Sequence, residues 1–285
     1  EPNNGVIMVK EEYKQNIYKK FRYKRKTLKL FLKQIEFFEE TEKNLKLPTH
    51  TYKIGDDVFL KKGTFMHGTR NNIDSLPLIM ENGFLSNNVF NPNTRAQKTP
   101  YAVSMWSIQE DILLKDYIYL YSGMTIRYTD NKDQPTTKLV PYQQLDQEIE
   151  NSRKENYWMW TAEQTKEIRF LPSLIRDDVQ LAFILNMDNS YVQKLIKQDI
   201  FNLNMDKKVV KTFISKWFID NFIYAKRDDF TTNRESAIVF GLPSNLIEGV
   251  LVGKQYEKDE KILDKIKKFL PKAYICNLEG KVIKI

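Results

Sequence analysis

One cysteine and two histidines are all that 285 residues supply of the side chains that most often bind metals or drive nucleophilic catalysis. Cys276 alone excludes an intrachain disulfide and a cysteine-based zinc site, which fits a reducing environment. His50 and His67 would both be needed, with carboxylates, to ligate a transition metal, and no spacing gathers such a set; no metal is expected. No G-x-G-x-x-G follows a strand pattern and no G-x-x-x-x-G-K-[ST] occurs, so the usual signatures of Rossmann dinucleotide binding and P-loop phosphate transfer are missing. Kinase motifs and a G-x-S-x-G elbow are missing too. No apolar run approaches the about 18 residues of a membrane span, and residues 1 to 15 lack a signal-peptide core. Glu1 rather than Met leads the chain, consistent with removal of an upstream segment.

Apolar residues make up 41% and aromatics 13%, enough for a packed core and unlike a disordered chain. The formal net charge of +8 therefore sits on a folded body and points to an anionic partner: nucleic acid, an acidic lipid surface or a phosphate-bearing small molecule.

Residues 10 to 46 contain no Gly or Pro and place Ile17, Phe21, Leu28, Phe31, Leu32, Ile35 and Phe38 at helical spacing, which predicts one long amphipathic helix. Its charge is polarised: every charged residue from Lys14 to Lys33 is basic, and Glu36, Glu39, Glu40 and Glu42 follow. A solvated docking helix accounts for such a face, and so does contact with nucleic acid, acidic lipid or a protein. "DDVFLKKGTFMHGT" predicts two strands around a Lys-Lys-Gly turn, with Val58, Leu60, Phe65 and His67 as strand residues. Asp74 is expected to cap a short helix that Gly83 stops. Residues 86 to 99 read as a loop, and 101 to 108 and 117 to 129 as strands. From 143 to 226 the apolar spacing is helical; strands return at 236 to 242 and 247 to 254, followed by a Lys-rich helix at 257 to 269 and a final hairpin. Strands, then helices, then strands predict an α+β fold with a mixed sheet and a helical insertion.

The stretch "TFMHGTR" at 64 to 70 spends one of two histidines directly before a glycine. Either the imidazole is packing filler or a ligand lies flat against this backbone. With "IDSLPLIMENGF" downstream and "NRESAIVFGLPSNLIEGVLVGK" near the far end, the combination resembles the ADP-ribosyltransferase superfamily, in the branch shared by diphtheria toxin and the poly(ADP-ribose) polymerases. The shared features are a strand ending His-Gly-Thr, a short helix closed by Gly, and a Glu at the mouth of a late apolar strand. The resemblance covers separated pieces of the chain. It implies a split mixed β-sheet core, with a first half over 49–142 and a second half with C-terminal hairpin over 227–285; the basic N-terminal helical segment over 1–48 and the helical insertion over 143–226 are not explained by it.

The resemblance also implies a reaction, cleavage of the nicotinamide glycosidic bond of NAD with transfer of ADP-ribose to a macromolecule, or hydrolysis of NAD. NAD is then a co-substrate and no resident cofactor is implied. Positive charge develops on the ribose in that reaction, and a carboxylate beside it favours the transition state over the ground state. Glu235 is placed in that role, and His67 at the adenosine-side ribose. Gly68, without a Cβ, would let its backbone approach the carboxamide, and Thr69 completes the motif. Tyr101 is the choice for the aromatic wall of the nicotinamide slot, with Ser104 and Ser107 in the same segment and Tyr117, Tyr119 and Tyr121 as rivals. Arg70 and Arg95 are assigned to the pyrophosphate, with Lys61 and Lys62 as weaker alternatives. Relatives that modify arginine carry Glu or Gln two residues before the catalytic acid; this chain has Asn233 there, which argues against arginine as acceptor. Glu163 and Glu167 are the fallback acids. A protein acceptor ranks ahead of a nucleic acid, and the setting implied is a bacterial effector or toxin, cytoplasmic or delivered into a host cell. The competing reading is a basic helical module that binds nucleic acid or acidic membrane without chemistry.

Overall fold

A computed structural model of the protein describes residues 4–69, 73–85, 102–108, 110–121, 124–129, 135–140, 147, 158–160, 181–188 and 233–285. Two helices open the chain, α1 (Asn4–Phe21) and α2 (Arg25–Asn44), where the sequence predicts one. Phe21 and Phe31 stack with ring centroids 5.0 Å apart. Ten residues of straight helix would hold them roughly 15 Å apart along its axis, so burying both rings forces the reversal at residues 22 to 24. The polarised charge fits the same turn: Lys10 reaches Glu42 at 2.8 Å and Lys14 pairs with Glu39, basic start against acidic end. Tyr13 and Phe38 carry the hairpin onto the body by packing against Phe240, stacked at 5.4 Å and edge-on at 5.3 Å.

The body is α+β. Its main sheet has seven strands in the order β10 (Asn233–Val239), β4 (Ala102–Ile108), β2 (Phe65–Thr69), β9 (Leu181–Leu185), β12 (Ile247–Val252), β13 (Tyr274–Cys276), β14 (Val282–Lys284). Pairing is antiparallel except between β12 and β13, which are parallel and joined through α5 (Glu260–Phe269), so the sheet is mixed. Asp259 caps α5 by accepting from the backbone N–H groups of Lys261 and Ile262. Smaller sheets pair β1 (Phe59–Leu60) with β5 (Ile112–Leu113), β3 (Phe84–Leu85) with β11 (Gly241–Leu242), and β6 (Met124–Thr129) with β7 (Pro135–Val140) and β8 (Trp158–Trp160).

Alternation along β2 and β9 sends side chains to two cores. Phe65, Phe183 and Leu185 join Leu76 and Ile79 of α3 (Leu76–Asn82) and Leu263 and Ile266 of α5 on one face. Met66, Ala182 and Ile184 join Leu114, Tyr117 and Ile118 of α4 (Leu114–Tyr121) on the other.

Several sequence expectations give way. β1 pairs with β5 and not with β2, so residues 58 to 67 are no hairpin, although Gly63 does turn the chain at φ 89°. α3 starts after Ser75 without a side-chain cap; the Asp74 carboxylate instead accepts from Lys265 at 3.3 Å. Gly83 closes α3 as expected, at φ 75°, and an added Cβ would lie 2.6 Å from the Leu242 carbonyl oxygen. Residues 114 to 121 are helical, and the strand expected from 117 begins only at Met124. Within the block 143–226, read as helical, Trp158–Trp160 and Leu181–Leu185 are strands. β9 is buried along its whole length in the middle of the sheet, where a fully apolar run suits a strand covered on both faces.

Candidate functional site

The two ends of the chain that carry the resemblance meet in one sheet. β2, with His67, Gly68 and Thr69, is separated from β10, with Glu235, by β4 alone. Trp106 lies opposite Met66 on one side and opposite Glu235 on the other. Two strand spacings, roughly 10 Å, therefore separate the backbones at 66 and 235.

The ladders on the two edges of β2 are unequal. With β9 the strand pairs at every residue from Phe65↔Leu185 to Thr69↔Leu181. With β4 the described pairs are Phe65↔Ser107 and Met66↔Trp106, while β4 itself stays paired to β10 from Ile108 to Ala102. His67 and Gly68 follow Met66 on β2, between β4 and β9 in the strand order. In the ladder, position 235 shares the row of Met66, one residue out of phase with His67.

His67 is half-buried, its ring edge-on to Phe84 at 5.3 Å, and Phe84 in turn packs edge-on to Phe183 at 5.3 Å. The imidazole is thus steadied by the aromatic edge of the strand that follows α3. His50 stands elsewhere, 5.2 Å from the ring of Tyr274 and 6.0 Å from that of Tyr52, and burial lowers its pKa. The two histidines belong to different faces of the sheet, and among the described residues no group of acids, His and Cys is arranged to hold a metal ion.

Of the other expected residues, Ser104 and Ser107 lie on β4, opposite Ala237 and Arg234. Arg70, Arg95, Tyr101, Glu163 and Glu167 lie outside the described residues. The rivals Tyr117, Tyr119 and Tyr121 fall on α4, and Tyr117 is buried in its core face. Lys61 is exposed and pairs with Asp188 at 3.7 Å, beyond the Phe65 end of β2 and away from His67. The backbone N–H of Lys62 donates to Asp111 at 2.7 Å. Cys276 is buried, its thiol pushed up by desolvation and donating to the Val250 carbonyl at 3.6 Å. A groove beside Tyr18, Leu32, Ile35 and Glu36 lies on the helical hairpin and holds none of the residues assigned to chemistry.

Two residues escaped the sequence reading. Trp106 is the rung that sets positions 66 and 235 level, and nothing in its local pattern marks it. Glu248 is half-buried on β12, where desolvation raises its pKa against a hydrogen bond with Asn186 and the field of Lys61. A lone acid in the apolar run "IEGVLV" is the signal that was there to be used.

Comparison with protein-family models, curated proteins and solved structures finds no match for this chain.

Proposed function

We propose that the chain is an NAD-consuming mono-ADP-ribosyltransferase, an effector-type enzyme that breaks the nicotinamide glycosidic bond and passes ADP-ribose to a macromolecule. The observation that carries it is the placement of two distant chain segments in one sheet: β2, with His67 and Gly68, and β10, with Glu235, flank the two edges of β4. His67 would hold the adenosine-side ribose. Glu235 would bond the 2'-hydroxyl of the nicotinamide-side ribose and oppose the charge developing there. The C–N bonding pair leaves with nicotinamide; a nucleophilic atom of the acceptor bonds to the ribose carbon and gives up its proton. With water in place of the acceptor the same steps are hydrolysis. A protein acceptor fits this reading better than a nucleic acid, and Asn233 speaks against arginine.

The test is incubation with NAD labelled in its adenine half, with and without a cell lysate. Label on lysate protein supports transfer; free ADP-ribose supports hydrolysis. No nicotinamide release under either condition sinks the proposal. NAD at about 100 times its dissociation constant should also stabilise the fold by roughly 2.7 kcal/mol. A non-catalytic anion-binding module, the competing proposal, predicts no such stabilisation; the charge on the hairpin speaks for it.

A further inference from the structure

The turn of the N-terminal hairpin concentrates charge to an unusual degree. Residues 19 to 33 hold Lys19, Lys20, Arg22, Lys24, Arg25, Lys26, Lys29 and Lys33 and no acid. The rest of the chain is then left with 37 basic residues against its 37 acids, so the whole formal net charge of +8 belongs to this one segment. Lower on the stem, Lys10 and Lys14 are matched to Glu42 and Glu39. Beside the cations stand exposed apolar groups. Tyr23 is 82% exposed at the tip, and Tyr18 and Leu32, at 46% and 36%, flank it on the two helices.

We propose that this tip docks the protein on an anionic lipid surface. Six of the eight cations are lysines, compact point charges suited to a diffuse negative plane rather than to the bidentate reading of phosphates or bases. One face of the Tyr23 ring is already covered by the Arg22 guanidinium, 4.6 Å from its centroid, which favours a seat at headgroup depth over stacking on a base. The remainder of the chain holds equal numbers of basic and acidic residues, so the formal excess of positive charge belongs to the tip. Clusters of four to eight Lys or Arg bind such surfaces with about 1 kcal/mol per charge, and the interaction fades beyond the Debye length of about 8 Å at physiological salt. The inference does not depend on NAD chemistry.

Sedimentation of the full chain with vesicles of phosphatidylcholine, alone or with phosphatidylserine, tests it directly. Binding is expected with phosphatidylserine alone and should weaken steeply as salt rises from about 0.05 to about 0.3 M. The triple substitution Lys24→Gln, Arg25→Gln, Lys26→Gln should lower vesicle affinity on the order of 10²-fold, with an unchanged melting temperature because all three side chains are exposed. Replacing the two lysines by Arg instead should keep binding. Equal sedimentation with neutral vesicles, no sedimentation at low salt, or tighter binding to a short RNA or DNA duplex than to the anionic vesicles at the same salt would each overturn the proposal.

Discussion

Asn245 closes the end of α2: its side-chain amide donates to the carbonyls of Thr41 and Leu45, both at 2.9 Å. The Thr41 carbonyl also accepts from the backbone N–H of Leu45 at 2.9 Å, whereas the Leu45 carbonyl lies just past the helix end, where the helix has no backbone donors of its own to offer. One residue earlier, Ser244 donates to the Met80 carbonyl of α3 at 2.9 Å, so a single turn after β11 fastens two helices. Asn245→Ala should lower stability by about 1 to 3 kcal/mol by taking the side-chain donor from the Leu45 carbonyl, while Thr41 keeps its backbone bond from Leu45. Urea unfolding followed by circular dichroism measures it, and a change within error would show that water substitutes freely at this helix end.

Gly249 and Tyr274 are paired across β12 and β13, and an added Cβ at 249 would lie 2.4 Å from the tyrosine ring. Gly249→Ala should therefore cost about 1 to 3 kcal/mol through overpacking. The Tyr274 hydroxyl is buried and meets no hydrogen-bonding partner among the described residues. Tyr274→Phe should accordingly leave stability unchanged or raise it by about 1 kcal/mol. Thermal melts of the two variants, with opposite signs expected, check both statements.

Burial raises the pKa of Glu248 despite the neighbouring Asn186 and Lys61. A carboxyl with a raised folded pKa binds its proton more tightly in the folded state than in the unfolded chain. Its contribution is complete below the unfolded value and is lost as pH climbs through the folded one. Glu248→Gln should then gain stability relative to the parent at neutral pH, with the difference closing toward about pH 4, near the unperturbed carboxylate value. A difference that is flat with pH would mean the carboxylate is as well solvated in the fold as outside it.

The proposed reaction gives His67 and Glu235 different duties, and kinetics can separate them. If Glu235 opposes the ribose charge, Glu235→Gln removes a charge that matters most in the transition state and should lower kcat on the order of 10² to 10³-fold. If His67 holds the unreactive half of NAD, the greater effect of His67→Ala is expected in KM for NAD. Initial rates of nicotinamide release over a range of NAD concentrations give both constants. An unchanged kcat in the Glu235 variant would take that residue out of the mechanism.

Features set by one or two residues were legible in the sequence. Gly83 stops α3 because its φ of 75° suits glycine, and the late apolar runs "SAIVF" and "IEGVLV" became β10 and β12. The meeting of His67 and Glu235 in one sheet was legible through the resemblance, not through any local pattern. What stayed hidden depends on partners distant in the chain. "LAFIL" carries no alternation, so its spacing cannot separate a buried strand from a buried helix; only β2 and β12 on either side decide it. The break at Arg22–Lys24 has neither Gly nor Pro, and the reward for turning there, Phe21 on Phe31, is invisible to helical periodicity. Trp106 acquires its place only from the register of three strands.

The place of β9 between β2 and β12 has a consequence for how the molecule comes into being. The inner strands of the sheet are drawn from early, middle and late stretches of the chain, so a growing polypeptide that has released β2 and β4 still lacks the neighbours that cover them. The β10–β4 pair closes only once residues 233 to 239 have emerged, and the β2, β9 and β12 group only after 247 to 252; pairing across such distances is slow. Until then the edges of β2 and β4 lack strands that flank them in the finished sheet, and unpaired edges are what a chaperone shields.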